Sequence, residues 1–443
     1  MEKWENTAVE GQRMDRRWEE LYQKKKITAS QAAAMVRSGD VICAVTREPK
    51  TILRELGKRT ELNSITYYCS QTNFLGELAG LGSKVKIVLS FMDDKNREFV
   101  ESGQAQFIPC NFSGYGKLST HHLKCRIAMP CVTRPDENGY VSMGNAADGM
   151  PGICRQAELV IGEINPELPF VYGENVKHIS EFDYLVEGDG YPLNLREIDN
   201  SEENRSVYQA IGTQLSELVE DEATLEVGLG RLNSSAMMYM EPKKDLGVHT
   251  EIYGDLFMEL TKRGMVTNQK KTLRPGVSVC AQLVGSRELF CFAEKNLGIE
   301  MDGSHFVLNP GIIAQNRKMT AINNAVQVDL LGQANAEYLK GRQYSGMGGI
   351  ADFATGAALC PDGKSIVVLE SVTRNGKYSK IVPSFTSGTP ISLTRTMIDY
   401  VVTEYGIARL SGKTVQERAT ELIQVAHPKF REELKWEWER NRN

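Results

Sequence analysis

Apolar runs with strand-like character alternate with stretches of helical period along most of the chain. DVICAV at 40–45 precedes a helical pattern over 51–58, and KVKIVLSFM at 84–92 precedes another over 96–103. Strand then helix, repeated, is the rhythm of a parallel α/β sheet. The pattern lapses over 191–206 (YPLNLREIDNSEENRS), where polar, turn-forming residues replace apolar ones, and a linker is expected there. Beyond it the rhythm resumes, with a helix expected over 207–219, the strand LEVGLG at 225–230 and a helix through 234–240. The fold class expected is α/β: two tandem open α/β domains with mainly parallel sheets, an N-terminal one over 1–195 and a C-terminal one over 207–443. A faint echo suggests related halves, since AELVIGEINPEL at 157–168 and IDYVVTEYGIARL at 398–410 each place a Glu after a Val-containing strand.

Size agrees with this division. A chain of 443 residues exceeds what one hydrophobic core comfortably serves, and two domains of roughly 200 residues follow. Charge narrows the partners. The net charge of -5 arises from 52 basic and 57 acidic residues without long like-charge runs, a poor footprint for nucleic acid or an anionic membrane. Met1 to Lys26 is crowded with Glu, Arg and Lys and offers no apolar core, so neither a signal peptide nor a membrane span is expected there and the compartment expected is the cytoplasm. Nine scattered cysteines without a CxxC pair read as reduced core thiols.

Several routes to an activity are closed. The six histidines form no HExxH and no His/Cys/carboxylate cluster with metal-site spacing, so no metal is expected. GxSxG, GxxxxGK[ST] and GxGxxG are likewise missing.

Four segments remain. Gly228, Leu229, Gly230, Arg231 and Leu232 join a strand to a helix. Glycine there serves a tight turn, or lets backbone N–H groups face a phosphate, carbonyl or oxyanion. Gly247 to Glu251 (GVHTE) reads as a short strand ending at Glu251, with a helix expected over 253–263. A carboxylate at the carboxyl edge of an open sheet is well placed for chemistry, and the plain alternative is that it complements the positive end of the helix that follows. Gly341 to Gly356 holds five glycines in sixteen positions, which suggests a ligand-proximal loop. Val401 to Gly412 ends an apolar strand at Glu404 beside a glycine turn, where a capping or salt-bridged Glu is the competing reading.

Together these segments resemble the family I coenzyme A transferases, in the branch that includes 4-hydroxybutyrate CoA-transferase, butyryl-CoA:acetate CoA-transferase and acetyl-CoA hydrolase/transferase. The blocks are GLGRLNSSAM at 228–237, GVHTEIYGDLFMEL at 247–260, the stretch from NPGIIAQN to FATGA at 309–357, and VTEYGIARLSG at 402–412 with its continuation to 434. ITASQAAAMVRSGDVI at 27–42, NGYVSMG at 138–144 and ISEFDYLVEG at 179–188 fit in order.

The resemblance implies that Glu251 attacks an acyl-CoA carbonyl, passing through an acyl-glutamyl anhydride and a glutamyl-CoA thioester. Such an exchange requires no proton shuttle, which suits the lack of a catalytic histidine. It also implies that Gly228 to Leu232 lie against CoA and that Gly349, beside Gly348, gives a backbone N–H to the thioester oxygen. Val326 falls where the family has a CoA-contacting apolar residue, and Glu404 where it has a carboxylate near the acyl site. Coenzyme A is then a substrate, no resident cofactor is expected, and the partners are acyl-CoA and small carboxylates. A homo-oligomer, in the simplest case a homodimer, is expected. One departure bears on substrate size: near Ala44 to Lys50 (AVTREPK) relatives have a glycine-rich turn and this chain has none. The expected activity is CoA transfer between short-chain acids such as acetate, butyrate and 4-hydroxybutyrate. An acyl-CoA hydrolase using the same Glu251 is the alternative, and a non-catalytic CoA-binding module a more remote one.

Overall fold

A computed structural model describes residues 17–192 and 204–440. The expected linker falls largely at 193–203, and most of the charged N-terminal stretch at 1–16, outside the described residues. The chain forms two compact units: Met1–Cys110, Gly114–Asn194 and Phe290–His305 in the first, and Asn111–Ser113, Leu195–Leu289 and Phe306–Asn443 in the second. Two short segments, 111–113 and 290–305, thus belong to the unit opposite the one their sequence position suggests.

In the first unit the expected strand–helix pairs appear as Val41–Cys43 before Lys50–Leu56, and Val85–Leu89 before Asp94–Glu101. Its nine-stranded sheet runs Lys26–Ile27, Tyr184–Glu187, Leu159–Ile164, Ile127–Ala128, Val41–Cys43, Ile65–Cys69, Val85–Leu89, Gln106–Phe107, with Cys131–Val132 also on Leu159–Ile164. Every pairing is parallel. Ile42, Ile52, Leu53, Ile65 and Ile161 are fully buried in its core. The turn that lacks glycine, 44–50, is held instead by a buried carboxyl: Glu48 accepts from Tyr67 Oη at 2.9 Å, Thr72 Oγ1 at 2.8 Å and the Asn73 N–H at 2.7 Å.

In the second unit the strands run Ser278–Leu283, Gly247–Tyr253, Thr224–Val227, Met319–Asn324, Lys364–Val368, Tyr400–Thr403, Gly406–Arg409. All are parallel except the last, which returns antiparallel. Helices lie at Arg205–Leu218, Arg231–Met237 and Asp255–Lys262, close to the expected positions, and at Ile350–Leu359, where the second half of the stretch expected as a loop over 341–356 is helical instead. The helix Val415–Val425 starts with a capping box between Thr414 and Glu417.

Both sheets share one topology. Apart from the edge strand Lys26–Ile27, Val41–Cys43 and Thr224–Val227 come first and are central; the strands that follow next extend to one side and the later ones to the other. The echoing segments do not, however, occupy equivalent places. Leu159–Ile164 lies two strands from the central Val41–Cys43, whereas Tyr400–Thr403 lies three strands from the central Thr224–Val227. Their likeness is that of two buried parallel strands, which share Val-rich composition whatever their position. Among the described residues no helix is long and apolar enough to cross a membrane.

Candidate active site

The strand order fixes where a ligand fits. In an open parallel sheet whose connections reverse direction at the first strand, a crevice opens beyond the carboxyl ends at the switch point. In the second unit that point lies between Thr224–Val227 and Met319–Asn324. The first strand leads into Gly228 to Leu232, and the fourth ends at Asn323 and Asn324. A Cβ at Gly228 would stand 2.3 Å from Asn323 Oδ1, and one at Gly230 2.2 Å from Asn324 Nδ2. Both glycines are required by close approach. Asn233, in the following helix, steadies the turn by donating from Nδ2 to the carbonyls of Gly228 and Ile322, each at 3.2 Å. Leu229 projects outward and is 43% exposed, an apolar tip on the loop.

Glu251 lies one strand away. Its strand continues two residues further than expected, to Tyr253, pairing there only with Ser278–Leu283; its pairing with Thr224–Val227 stops at Val248. The partly exposed Glu251 therefore sits past the shared ladder, next to the crevice. Its Oε2 accepts the Gly349 N–H at 2.6 Å, and Gly349 is the N-cap of the helix Ile350–Leu359. The helix whose positive end Glu251 complements is thus this one and not the helix that follows it in sequence, which starts at Asp255. Gly348 takes a left-handed φ of 55°, whereas Gly349 has an ordinary φ of −97°. Conformational freedom explains glycine at 348 alone. At 349 the reason is space, since a Cβ would lie 2.4 Å from both Glu251 Oε2 and Leu308 Cδ2.

The glycine-rich stretch is ordered by identifiable contacts. Lys340 and Gly341, both at positive φ, turn the hairpin Tyr338–Leu339 to Arg342–Gln343. Gly348 O accepts the Phe112 N–H at 3.0 Å, and Asp352 accepts from Ser113 N at 3.0 Å and Ser113 Oγ at 2.6 Å. Burial raises the Asp352 carboxyl to about 6 despite these bonds. Gly356 lies within the helix, where a Cβ would meet Ile313 at 2.4 Å.

Beneath Glu251 the sheet carries two more polar residues on the same face. Thr224 pairs with Gly247 and with Met319, so alternation places Glu226 level with His249 and one step below Glu251 and Asn323. His249 is fully buried. Its Nε2 donates to Val307 O at 2.7 Å, and burial, then Lys271 and Arg274, hold its pKa down to about 3. It is a neutral ring. Glu226 is 2% exposed and accepts from Asn323 Nδ2 at 2.7 Å. Burial first, then the Glu251 carboxylate, push its carboxyl well above the usual range.

The remaining expected residues stand further along the carboxyl edge. Val326 follows the fourth strand, its N–H donating to Asn335 O at 2.8 Å. Glu404 follows the sixth strand, four strand spacings or about 19 Å from Glu251. Among the described residues it neither caps a helix nor joins a salt bridge: its carboxylate accepts from Ser371 N at 2.9 Å and from Ser371 Oγ.

Comparison with known proteins agrees with this arrangement. The acetyl-CoA hydrolase/transferase N-terminal domain matches residues 9–195, and the C-terminal domain of the same family matches 285–438. The chain is 36% identical to the 4-hydroxybutyrate coenzyme A transferase of Clostridium kluyveri, covering 94% of this chain and 98% of that one. It is 31% identical to the butyryl-CoA:acetate CoA-transferase of Anaerostipes caccae, over 94% and 96%. The chain belongs to the acetyl-CoA hydrolase/transferase family. The crystal structure of RipA from Yersinia pestis is similar throughout, with a TM-score of 0.87 at 30% identity, covering 96% of this chain and 99% of that one. The fold class and the enzyme class read from the sequence, a CoA-transferase, are borne out.

The geometry also marks what sequence reading left out. Glu226, Asn323 and Ser113 contact or face the segments singled out and lay outside them, whereas His249 and Asp352 lay within those segments without a role of their own. One signal was available: Glu226 is a charged residue in the otherwise apolar strand Thr224–Val227, and such a residue is seldom fully buried without a purpose.

Proposed function

We infer that this enzyme is an acyl-CoA:carboxylate CoA-transferase for short-chain acyl groups (acetyl, butyryl or 4-hydroxybutyryl), with Glu251 as its covalent nucleophile. The observation that carries this reading is the hydrogen bond from the Gly349 N–H to Glu251 Oε2, which pairs a carboxylate with a backbone donor at the carboxyl edge beside the switch point. The activities of the 4-hydroxybutyrate and butyryl-CoA relatives support the substrate class.

The chemistry balances without a proton carrier. Glu251 attacks the thioester carbon of acyl-CoA, the C–S bond breaks, and CoA leaves as thiolate from a mixed anhydride. The thiolate then attacks the glutamyl carbonyl and releases the first carboxylate, leaving a glutamyl-CoA thioester. An incoming carboxylate reverses the two steps, so a new acyl-CoA departs and Glu251 is regenerated. Each transition state gathers negative charge on a carbonyl oxygen. A backbone N–H fixed at a helix N-terminus suits that charge and requires no reorganisation. On this reading Gly228, Leu229, Gly230, Arg231, Leu232 and Val326 line the CoA and Gly348 and Gly349 frame the reacting carbonyl, whereas Glu404, four strand spacings or about 19 Å along the edge, stands too far from Glu251 to touch a short-chain acyl group held there. CoA is a substrate, and no resident cofactor takes part. The same reading makes the protein a cytoplasmic homodimer, with light-scattering mass as the check on assembly.

The test is incubation of the full chain with acyl-CoA alone, followed by intact-mass and peptide analysis. CoA is expected on the peptide containing Glu251. An adduct on another carboxylate, or none in a preparation with measured transferase activity, overturns the assignment. Release of free CoA without any acceptor marks hydrolysis by the same residue.

A further inference from the structure

The mechanism above leaves a second carboxyl unused at the heart of the site. Glu226 occupies the central strand, between the strand of Glu251 on one side and that of Asn323 on the other. It shares their face and is 2% exposed. Two carboxylates cannot both be charged cheaply in so dry a place, because each loses its hydration and repels the other.

Among the described residues the groups facing Glu226 offer no compensating cation. From the strand Gly247–Tyr253 come neutral His249 and the Glu251 carboxylate. The strand Met319–Asn324 carries no ionisable side chain, and its contribution is the amide of Asn323, which donates one hydrogen bond. The helix Ile350–Leu359 brings Asp352, whose two oxygens are taken up by Ser113. The nearest buried ammonium, Lys271, is directed at backbone, donating to Val248 O at 2.8 Å and Val277 O at 2.7 Å. Arg231 starts the helix after the glycine turn and is exposed.

We propose that Glu226 is a positioning residue that stays a neutral carboxylic acid through turnover, leaving Glu251 the single anion of the site. This rests on Glu251 being the nucleophile. The consequence is electrostatic. The acceptor substrate arrives as an anion, and every tetrahedral intermediate carries an oxyanion. A permanent second charge on the neighbouring strand, two residues along from the level of Glu251, would oppose both, in surroundings where such repulsion is poorly screened. A neutral acid fills the same space, keeps its bond from Asn323 and through it holds the residue that Gly228 packs against. Glu226 therefore couples the protonation of the sheet interior to the charge the active site presents to its acceptor.

The experiment compares the full chain with Glu226→Gln, which mimics the neutral acid, and Glu226→Asp, which retains an ionisable group. The wild-type minus Glu226→Gln infrared difference spectrum at neutral pH is expected to show one carbonyl band of a neutral carboxylic acid. A carboxylate band in its place overturns the proposal. In the rate of transfer, each profile normalised to its own maximum, the wild type is expected to decline on the alkaline side by up to about tenfold per pH unit, as a single ionisation dictates. Glu226→Asp should keep a decline and Glu226→Gln should lose it. A pH-dependent difference between wild type and Glu226→Gln that lies wholly on the acid side of neutrality overturns the proposal as well. The covalent CoA adduct is mapped in the same three proteins. An adduct away from Glu251 removes the premise, and is read independently of the infrared band.

Discussion

Glu251 occupies the space that a side chain on Gly349 would need. The carboxylate oxygen sits 2.6 Å from the Gly349 nitrogen and 2.4 Å from where its Cβ would be. Donor and proposed nucleophile are therefore fitted to one another through a missing atom. Gly349→Ala is expected to push Glu251 and Leu308 aside and misdirect the N–H. Loss of one such donor corresponds to roughly a hundred- to thousand-fold in turnover. The KM for acyl-CoA should remain within a few-fold, since this donor acts on charge that develops only in the transition state. Steady-state kinetics with the best acyl pair separates the two constants; near-normal turnover would show that the N–H plays no part in the chemistry.

Glu251→Gln should abolish nearly all transfer while the protein stays folded. Glutamine keeps an acceptor oxygen for Gly349 but is not a nucleophile. The attraction of a charge to the N-terminus of Ile350–Leu359 that it loses is at most about 2 kcal/mol in a partly buried geometry. Urea unfolding measures this. A much larger loss would mean that Glu251 is chiefly a structural cap.

The support behind the Gly348 turn is also testable. Ser113→Ala removes the Oγ bond to buried Asp352 and should cost about 1–3 kcal/mol, the typical penalty for an abandoned polar group. Because Phe112 next to it holds Gly348 O, turnover should fall as well, though less than in Gly349→Ala. An unchanged urea midpoint would show that water readily replaces the hydroxyl.

Much of this was legible because periodicity reports burial. The strand–helix pairs at Val41–Cys43 and Lys50–Leu56, or Thr224–Val227 and Arg231–Met237, are visible wherever apolar residues recur with the right spacing. Glu251 and the glycines at 228 and 349 were legible through a family resemblance carried by whole blocks of sequence. The partners of those residues were not. Asn323 meets Gly228 and Ser113 meets Asp352 across long stretches of chain, and no local pattern encodes such a meeting. Sequence also does not distinguish a glycine required by its φ, as at 348, from one required by a neighbour, as at 349. The extent of the strand beyond Glu251 was missed because Ile252 and Tyr253 read equally well as the start of a helix.

The last prediction concerns pH and the first unit. Glu163 is buried and accepts the N–H groups of Thr51 at 3.0 Å and Ile52 at 2.8 Å, closing the N-terminus of the helix Lys50–Leu56, whose N-cap residue Pro49 makes no side-chain bond. Burial raises this carboxyl from an ordinary 4.5 to about 7, against the pull of those two bonds. The folded state thus holds its proton more tightly than the unfolded chain. The resulting stability is complete below pH 4.5, declines as pH rises toward 7 and is gone above it. Glu163→Gln carries no titrating group, so its unfolding midpoint should vary less with pH across that window. Its amide nitrogen cannot accept one of the two N–H groups, which should leave the variant less stable at pH 4.5 by about 1–3 kcal/mol. The gap between the two proteins should narrow toward pH 8, as the wild type alone gives up its buried proton. Urea titrations at several pH values decide it: parallel curves for the two proteins would mean that Glu163 ionises no differently in the folded and unfolded states.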